Sequence, residues 1–152
     1  NKLKGRQLSL PKPTYAAIGS QNRYYIQFAD GKSEWVGCES MTRTLNGSSK
    51  EIASVAFGED WDAYFIVYKD GGWKSNGNMP HGLNDVISRR QRRGDLSCVS
   101  LGPDGEYYIL AKNGRSWWGG MSTKAIKHVN KYKDRLTYLD FGDGGTYLFR
   151  YS

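Results

Sequence analysis

Two cysteines, two histidines and four prolines are all that this 152-residue chain holds of the residues that staple, ligate or kink a small protein. Cys38 and Cys98 are too few for a disulfide framework and lack the spacing of a metal knuckle. They read as reduced, structural thiols buried like small hydrophobes, which leans toward an intracellular compartment. A single bridge between them, and with it an oxidising compartment, is the alternative. His81 and His128 lie far apart with no carboxylate at ligand spacing, so no metal centre is expected; His81, just after Pro80, reads as a capping or surface residue. No apolar run approaches the ~20 residues of a membrane-crossing helix, and the first residues lack the apolar core of a signal peptide. The serines stand outside any Gly-x-Ser-x-Gly elbow, and no phosphate-cradling glycine loop leads into a helix. Neither a catalytic constellation nor a cofactor site emerges from this inventory.

What the chain does have is glycine, 19 of them, and a 14% share of aromatic residues. They recur in order. Gly19, Gly58, Gly102 and Gly142 lie 39, 44 and 40 residues apart, each ending an apolar stretch and each followed by a tyrosine five or six residues on. After the first three the tyrosine opens a triplet, Tyr24-Tyr25-Ile26, Tyr64-Phe65-Ile66 and Tyr107-Tyr108-Ile109. Asp30-Gly31, Asp70-Gly71 or Asn113-Gly114 follows, then Trp35, Trp73, or Trp117 with Trp118. A period near 40 residues is the signature of a repeat architecture.

Each repeat reads as a three-stranded antiparallel meander. Before each glycine apolar residues alternate with Ala17, Ala56, Ser100 and Asp140, so one strand face is buried and the other meets something small or wet. Asp-Gly and Asn-Gly are strong hairpin signals, expected here as turns in which both residues take positive φ. Each meander then runs into a helical piece. Ser122 suits an N-cap for a helix with Met121, Ala125, Val129 and Tyr132 on one face. Pro80 suits the first turn of a second helix with Leu83, Val86 and Ile87 as its apolar stripe and Gly94 at its end. Between Ser40 and Gly47 there is room for only a turn or two.

The expected fold is therefore all-β with short helices: a meander-plus-helix unit repeated over about 15–51, 52–95 and 96–135, with a partial fourth over 136–152. Such sheets must bury both faces against their copies, which points to a small propeller-like ring. Leu3 to Leu8 read like the tail of a helix, as in Ile87 to Gln91, so residues 1–14 either close the ring or end a preceding unit of a longer array. A compact α+β domain is the other arrangement of the same pieces.

The stretch Ile52-Ala53-Ser54-Val55-Ala56-Phe57-Gly58, with Asp70-Gly71, Trp73 and Gly77 after it, resembles a repeat of the regulator-of-chromosome-condensation type. The meander-plus-helix plan with Asp62-Ala63-Tyr64-Phe65 is similar to a hemopexin-type repeat. Both resemblances imply a propeller. Neither carries a functional residue across, since the histidine that follows the opening glycine in the first family has no counterpart here.

Charge supplies the functional lead. Residues 1–85 hold 10 Lys/Arg against 9 Asp/Glu and residues 136–152 hold 1 against 2, whereas residues 86–135 hold 11 against 4. The excess of +7 is thus concentrated, which speaks to partners rather than to solubility alone. Arg89, Arg90, Arg92 and Arg93 cluster at a helix end, more cations than a helix dipole calls for. Lys124, Lys127, His128 and Lys131 form a polar stripe on the next helix, and no acid intervenes between Lys112 and Lys133. Arg115 adjoins Trp117 and Trp118.

The acidic turns, such as Asp60-Trp61-Asp62, read as ordinary Asx turns rather than calcium loops. One tryptophan per unit reads as a core anchor, leaving Trp61 and Trp118 outside that pattern. The expectation is a non-enzymatic interaction module, binding an acidic protein segment or a nucleic acid through Arg89, Arg90, Arg92, Arg93, Arg115, Lys124, Lys127 and Lys131, with Trp118 stacking. The alternative is a carbohydrate-binding lectin using Trp61 and Trp118.

Overall fold

The computed structural model describes residues 11–91 and 93–152, and within them the chain is mostly β: eleven strands in four antiparallel sheets, with three short helices. β1 (Pro13–Ile18), β2 (Tyr24–Phe28) and β3 (Ser33–Val36) form the first sheet. α1 (Glu39–Asn46) leads to the second, β4 (Ile52–Phe57), β5 (Tyr64–Tyr68) and β6 (Trp73–Asn76). α2 (His81–Arg90) leads to the third, β7 (Leu96–Leu101), β8 (Tyr107–Ala111) and β9 (Ser116–Gly119). α3 (Thr123–Tyr132) precedes the two-stranded fourth, β10 (Leu136–Phe141) and β11 (Tyr147–Tyr151). The expectation for Leu3 to Leu8 lies outside the described residues.

Hydrogen bonds repeat as the sequence does. In every sheet the opening glycine closes the first hairpin with its N–H: Gly19 to Arg23, Gly58 to Ala63, Gly102 to Glu106 and Gly142 to Thr146, all at 2.9 Å. In every sheet the first strand shifts register near its start, between Pro13 and Tyr15, Ile52 and Ser54, Leu96 and Cys98, and Leu136 and Tyr138. The second hairpins are also alike, but not in the way expected. Only Gly31, Gly71 and Gly114 take positive φ, +82°, +92° and +86°. Their partners Asp30, Asp70 and Asn113 instead accept a backbone N–H two residues on, from Lys32, Gly72 and Arg115 at 3.0, 2.8 and 2.9 Å. These are three-residue loops finished by a left-handed glycine, and the Asx side chain replaces the second positive φ as the turn's support.

The helices begin where chemistry permits. Ser122 Oγ accepts the Ala125 N–H at 3.2 Å, and Cys38 Sγ accepts that of Met41 at 3.4 Å, so one of the two thiols is a helix cap. Both cysteines are free and buried, and burial pushes the Cys98 thiol up to about 12. Gly94, with φ +56°, ends the turn after α2 rather than capping the helix directly. No described helix is long and apolar enough to cross a membrane.

The second and third sheets bury both faces against their neighbours, and the first and fourth each contribute one face to these cores. Ala17, Tyr25 and Met41 of the first unit meet Val55, Phe57, Tyr64 and Ile66 of the second. Ala56, Phe65 and Val67 meet Leu83 and Val86 of α2 and Val99, Leu101 and Ile109 of the third. Cys98 and Tyr108 meet Ala125 and Val129 of α3 and Leu139 and Phe141 of the fourth. Each such large apolar side chain contributes roughly 1.5–3 kcal/mol. The alternating small residues are therefore not on a wet face in the middle of the molecule: Ala56 and Ser100 are buried, small because the next sheet lies close.

Direct bonds stitch the first strands together. Tyr15 Oη donates to the Val55 carbonyl at 3.2 Å and accepts its N–H at 2.9 Å, while Ser54 Oγ accepts the Val99 N–H at 3.3 Å. First strands and opening turns of all four sheets border one cavity of about 280 Å³, lined by Ile18, Gly19, Phe57, Gly58, Leu101 and Asp140 among others. Burial raises the Asp140 carboxyl above its usual range. At the two ends Ile18 and Leu148 remain 75% and 70% exposed, on the outer faces of the first and fourth sheets.

Candidate anion-binding site

α2 starts after Pro80 and turns Leu83 and Val86 into the contact between the second and third sheets. That orientation carries its last turn, with Arg89 and Arg90, to the outer end of the contact, where cations also complement the helix dipole. The linker that follows is clamped from two sides. Gly71 of the β5–β6 hairpin approaches so closely that a Cβ there would lie 1.9 Å from the Gly94 carbonyl oxygen. From the β8 side the Lys112 N–H donates to the Asp95 carbonyl at 2.8 Å. The arginine run is thereby laid beside the β8–β9 hairpin, whose tip carries Arg115.

Arg90 is the centre of the arrangement. Its side chain is buried, its Nε donates to Asp95 Oδ1 at 3.1 Å and its Nη2 donates to Asp95 Oδ2. These hydrogen bonds hold the Asp95 carboxyl below the usual carboxylate range. The guanidinium lies over the Trp117 ring, 4.7 Å from its centre, and that of Arg115 lies over the same ring at 4.9 Å. Val86, Arg89, Arg90, Arg93, Arg115 and Trp117 line a concavity of about 190 Å³. Among the described residues no ion pair reaches Arg89, Arg93 or Arg115. Burial and a carboxylate fix one cation; the others surround it without a salt bridge of their own among the described residues.

Four of the sequence-predicted residues, Arg89, Arg90, Arg93 and Arg115, are brought together here. The side chain of Arg92 lies outside the described set. Lys124, Lys127 and Lys131 are exposed on α3, and the Lys131 ammonium sits 5.2 Å from the ring centre of Tyr132. His128 leaves their stripe: its Nδ1 is 2.6 Å from Tyr147 Oη and its ring meets Phe149 edge-on. Trp118 is half-buried in the contact between the third and fourth sheets. Trp61 is 44% exposed in the turn between β4 and β5, so the two tryptophans of the sugar-binding alternative belong to separate surroundings.

The sequence reading missed Trp117 and Asp95. It took one tryptophan per unit, anywhere within four residues of the turn, as equivalent, whereas strand pairing separates them. Trp35 lies opposite Tyr25 and Trp118 opposite Tyr108, the same place in two units, while Trp73 pairs with Val67 and Trp117 with Ile109. Trp118 is thus the counterpart of Trp35, and Trp117 is the additional ring, turned toward α2. Matching the strands residue by residue from the aromatic triplet would have found it.

Arg23 was also passed over, lying in the neutral part of the chain. It is fully buried and donates from Nη1 to the carbonyls of Asp60 and Ala63 at 2.7 and 3.1 Å and from Nη2 to that of Gly58 at 2.6 Å. It joins the opening turns of the first two units and is structural. Compared with known proteins, the chain matches no family model, no curated protein and no solved structure.

Proposed function

We propose that this chain is a non-enzymatic interaction module, built as a small ring of propeller-type blades, that binds an acidic macromolecule at the α2–β9 face. One observation carries the binding reading: separate elements converge their arginines on a single concavity, and one of those arginines is buried and oriented in advance by Asp95. A merely solvated basic face has no reason to concentrate its cations around an aromatic ring. The ring reading is supported by the cavity that draws on first strands from all four sheets. Ile18 and Leu148 mark the two sheet faces that closure would bring together.

The test is a titration of the chain with an acidic peptide and with a single-stranded oligonucleotide at several salt concentrations. Binding to at least one of them should weaken about tenfold or more between ~50 and ~200 mM salt, since released counterions and screened charges dominate such contacts. The triple change Arg89→Glu, Arg93→Glu and Arg115→Glu should abolish it. Binding that ignores both salt and charge reversal, or recognition of neutral sugars alone, would overturn the reading in favour of Trp61 and Trp118.

A further inference from the structure

Resting on that reading, we infer that the concavity between α2 and β9 is a receptor for one phosphoryl monoester, carried by a phosphorylated side chain of a protein partner. The first argument is size. About 190 Å³ falls below the ~300–1,000 Å³ typical of pockets that enclose a drug-sized ligand. It admits a phosphoryl group and the first atoms of its carrier, and leaves no room for a nucleoside beside it.

The second argument is donor geometry. Arg90 spends Nε and Nη2 on Asp95, and its Nη1 makes no hydrogen bond among the described residues while the residue lines the concavity. The Arg115 guanidinium lies over the Trp117 ring and makes no side-chain hydrogen bond among the described residues, which leaves its fork for a ligand, and Arg89 and Arg93 bring two more forks to the rim. Planar guanidinium groups match the oxygens of a phosphate pairwise, which an ammonium does not. A monoester offers three terminal oxygens and about −1.5 to −2 charges in one place. A backbone diester or a glutamate offers two oxygens and one charge, and satisfies fewer of these donors. Because the one carboxylate at this end of α2 is already neutralised by Arg90, the site presents a surplus of positive charge to a compact dianion.

The third argument is what lies outside. A polyanion such as a nucleic acid strand needs a continuous basic track. Here the lysines of α3 stand on the far side of β9, beyond Trp118, and Trp117 closes the wall between. The half-buried Trp117 ring and Val86 provide apolar surface for the atoms that carry the phosphoryl group.

The experiment follows Trp fluorescence of the full chain during titration with three peptides of one uncharged sequence, carrying at the centre phosphoserine, glutamate or serine. The phosphoserine peptide should bind at least tenfold tighter than the glutamate peptide, and inorganic phosphate should compete with it. Arg115→Lys keeps the charge and removes the fork. It should cut the preference for phosphoserine over glutamate about tenfold, because the phosphoserine peptide loses far more affinity than the glutamate peptide does. Arg89→Lys should act in the same direction, and both positions are exposed enough for the fold to survive. Equal binding of phosphoserine and glutamate peptides would overturn the phosphoryl site and leave the acidic-partner reading standing. An oligonucleotide binding in preference to all three peptides would likewise overturn it. Failure of every anion to bind would remove both.

Discussion

α2 and α3 carry most of the basic excess and lie against opposite faces of β9, yet they use their charge differently. On α2 and the turn after it the cations are arginines, one buried and held by Asp95, and Arg115 arrives from the neighbouring hairpin to share the Trp117 ring. On α3 they are lysines, exposed one turn apart, while the histidine among them turns inward to Tyr147. Net charge does not distinguish the two; immobilisation does. A planar guanidinium can be stacked, bonded and aimed, whereas an ammonium on a flexible stem remains a hydrated point charge. The comparison is therefore between cations that the fold holds and cations that water holds.

Its far end is Arg23, a buried cation held mainly by backbone carbonyls, with the Ser20 hydroxyl as a further acceptor. Arg23→Met should be the most damaging of these changes, on the order of 4 kcal/mol, because a wedge between two turns and its charged hydrogen bonds disappear together and the Gly58 carbonyl loses its partner. Urea denaturation measures this directly. A loss below about 1 kcal/mol would show that the buried cation is replaceable by any long side chain, and the distinction between held and free charge would fail at its strongest point.

Asp95→Ala comes next, at about 3 kcal/mol, since it leaves the Arg90 guanidinium buried without its carboxylate. The pH dependence has a definite sign. Asp95 titrates lower in the folded chain than its unfolded value near ~3.9, so its contribution is complete above that pH and is lost as the pH falls through the folded value. The gap between wild type and variant in urea midpoint should therefore be widest at neutral pH and narrow in acid below about pH 4. A gap that stays constant from neutral pH into that acid range would mean that Arg90 is held by packing on Trp117 rather than by its ion pair.

How far the sequence revealed this difference depends on the range of the interactions. The hairpins were legible because their causes are local: an Asx side chain two residues from the N–H it accepts, and a glycine that takes positive φ at the next position. The helix starting at Thr123 was legible from Ser122 and the spacing of Ala125 and Val129 for the same reason. The gathering of arginines was half legible. The run at residues 89–93 declared itself, but its meeting with Trp117 depends on how α2 packs across the third sheet, which brings it to the face that Trp117 shares with Ile109. Arg23 was illegible, because the acceptors that bury it between two units are main-chain carbonyls 35 to 40 residues further on, which leave no mark in a sequence. Small residues such as Ala56 were read correctly as a separate face, but what that face meets is set by a neighbouring sheet.

The smallest effect sharpens the comparison most. Changing Lys124, Lys127 and Lys131 together to Gln removes three of the chain's formal positive charges, yet stability should stay within about 0.5 kcal/mol, as for exposed positions that form no salt bridge among the described residues. Binding of an acidic peptide should weaken only modestly and with a shallower salt dependence, because these ammonium groups contribute field at a distance and no oriented contact. The preference for phosphoserine over glutamate should not change, since that preference belongs to forks that α3 does not possess. Were the triple lysine variant to lose the preference while Arg115→Lys kept it, the assignment of held and free charge would be reversed. The site would then lie on α3, on the other side of β9.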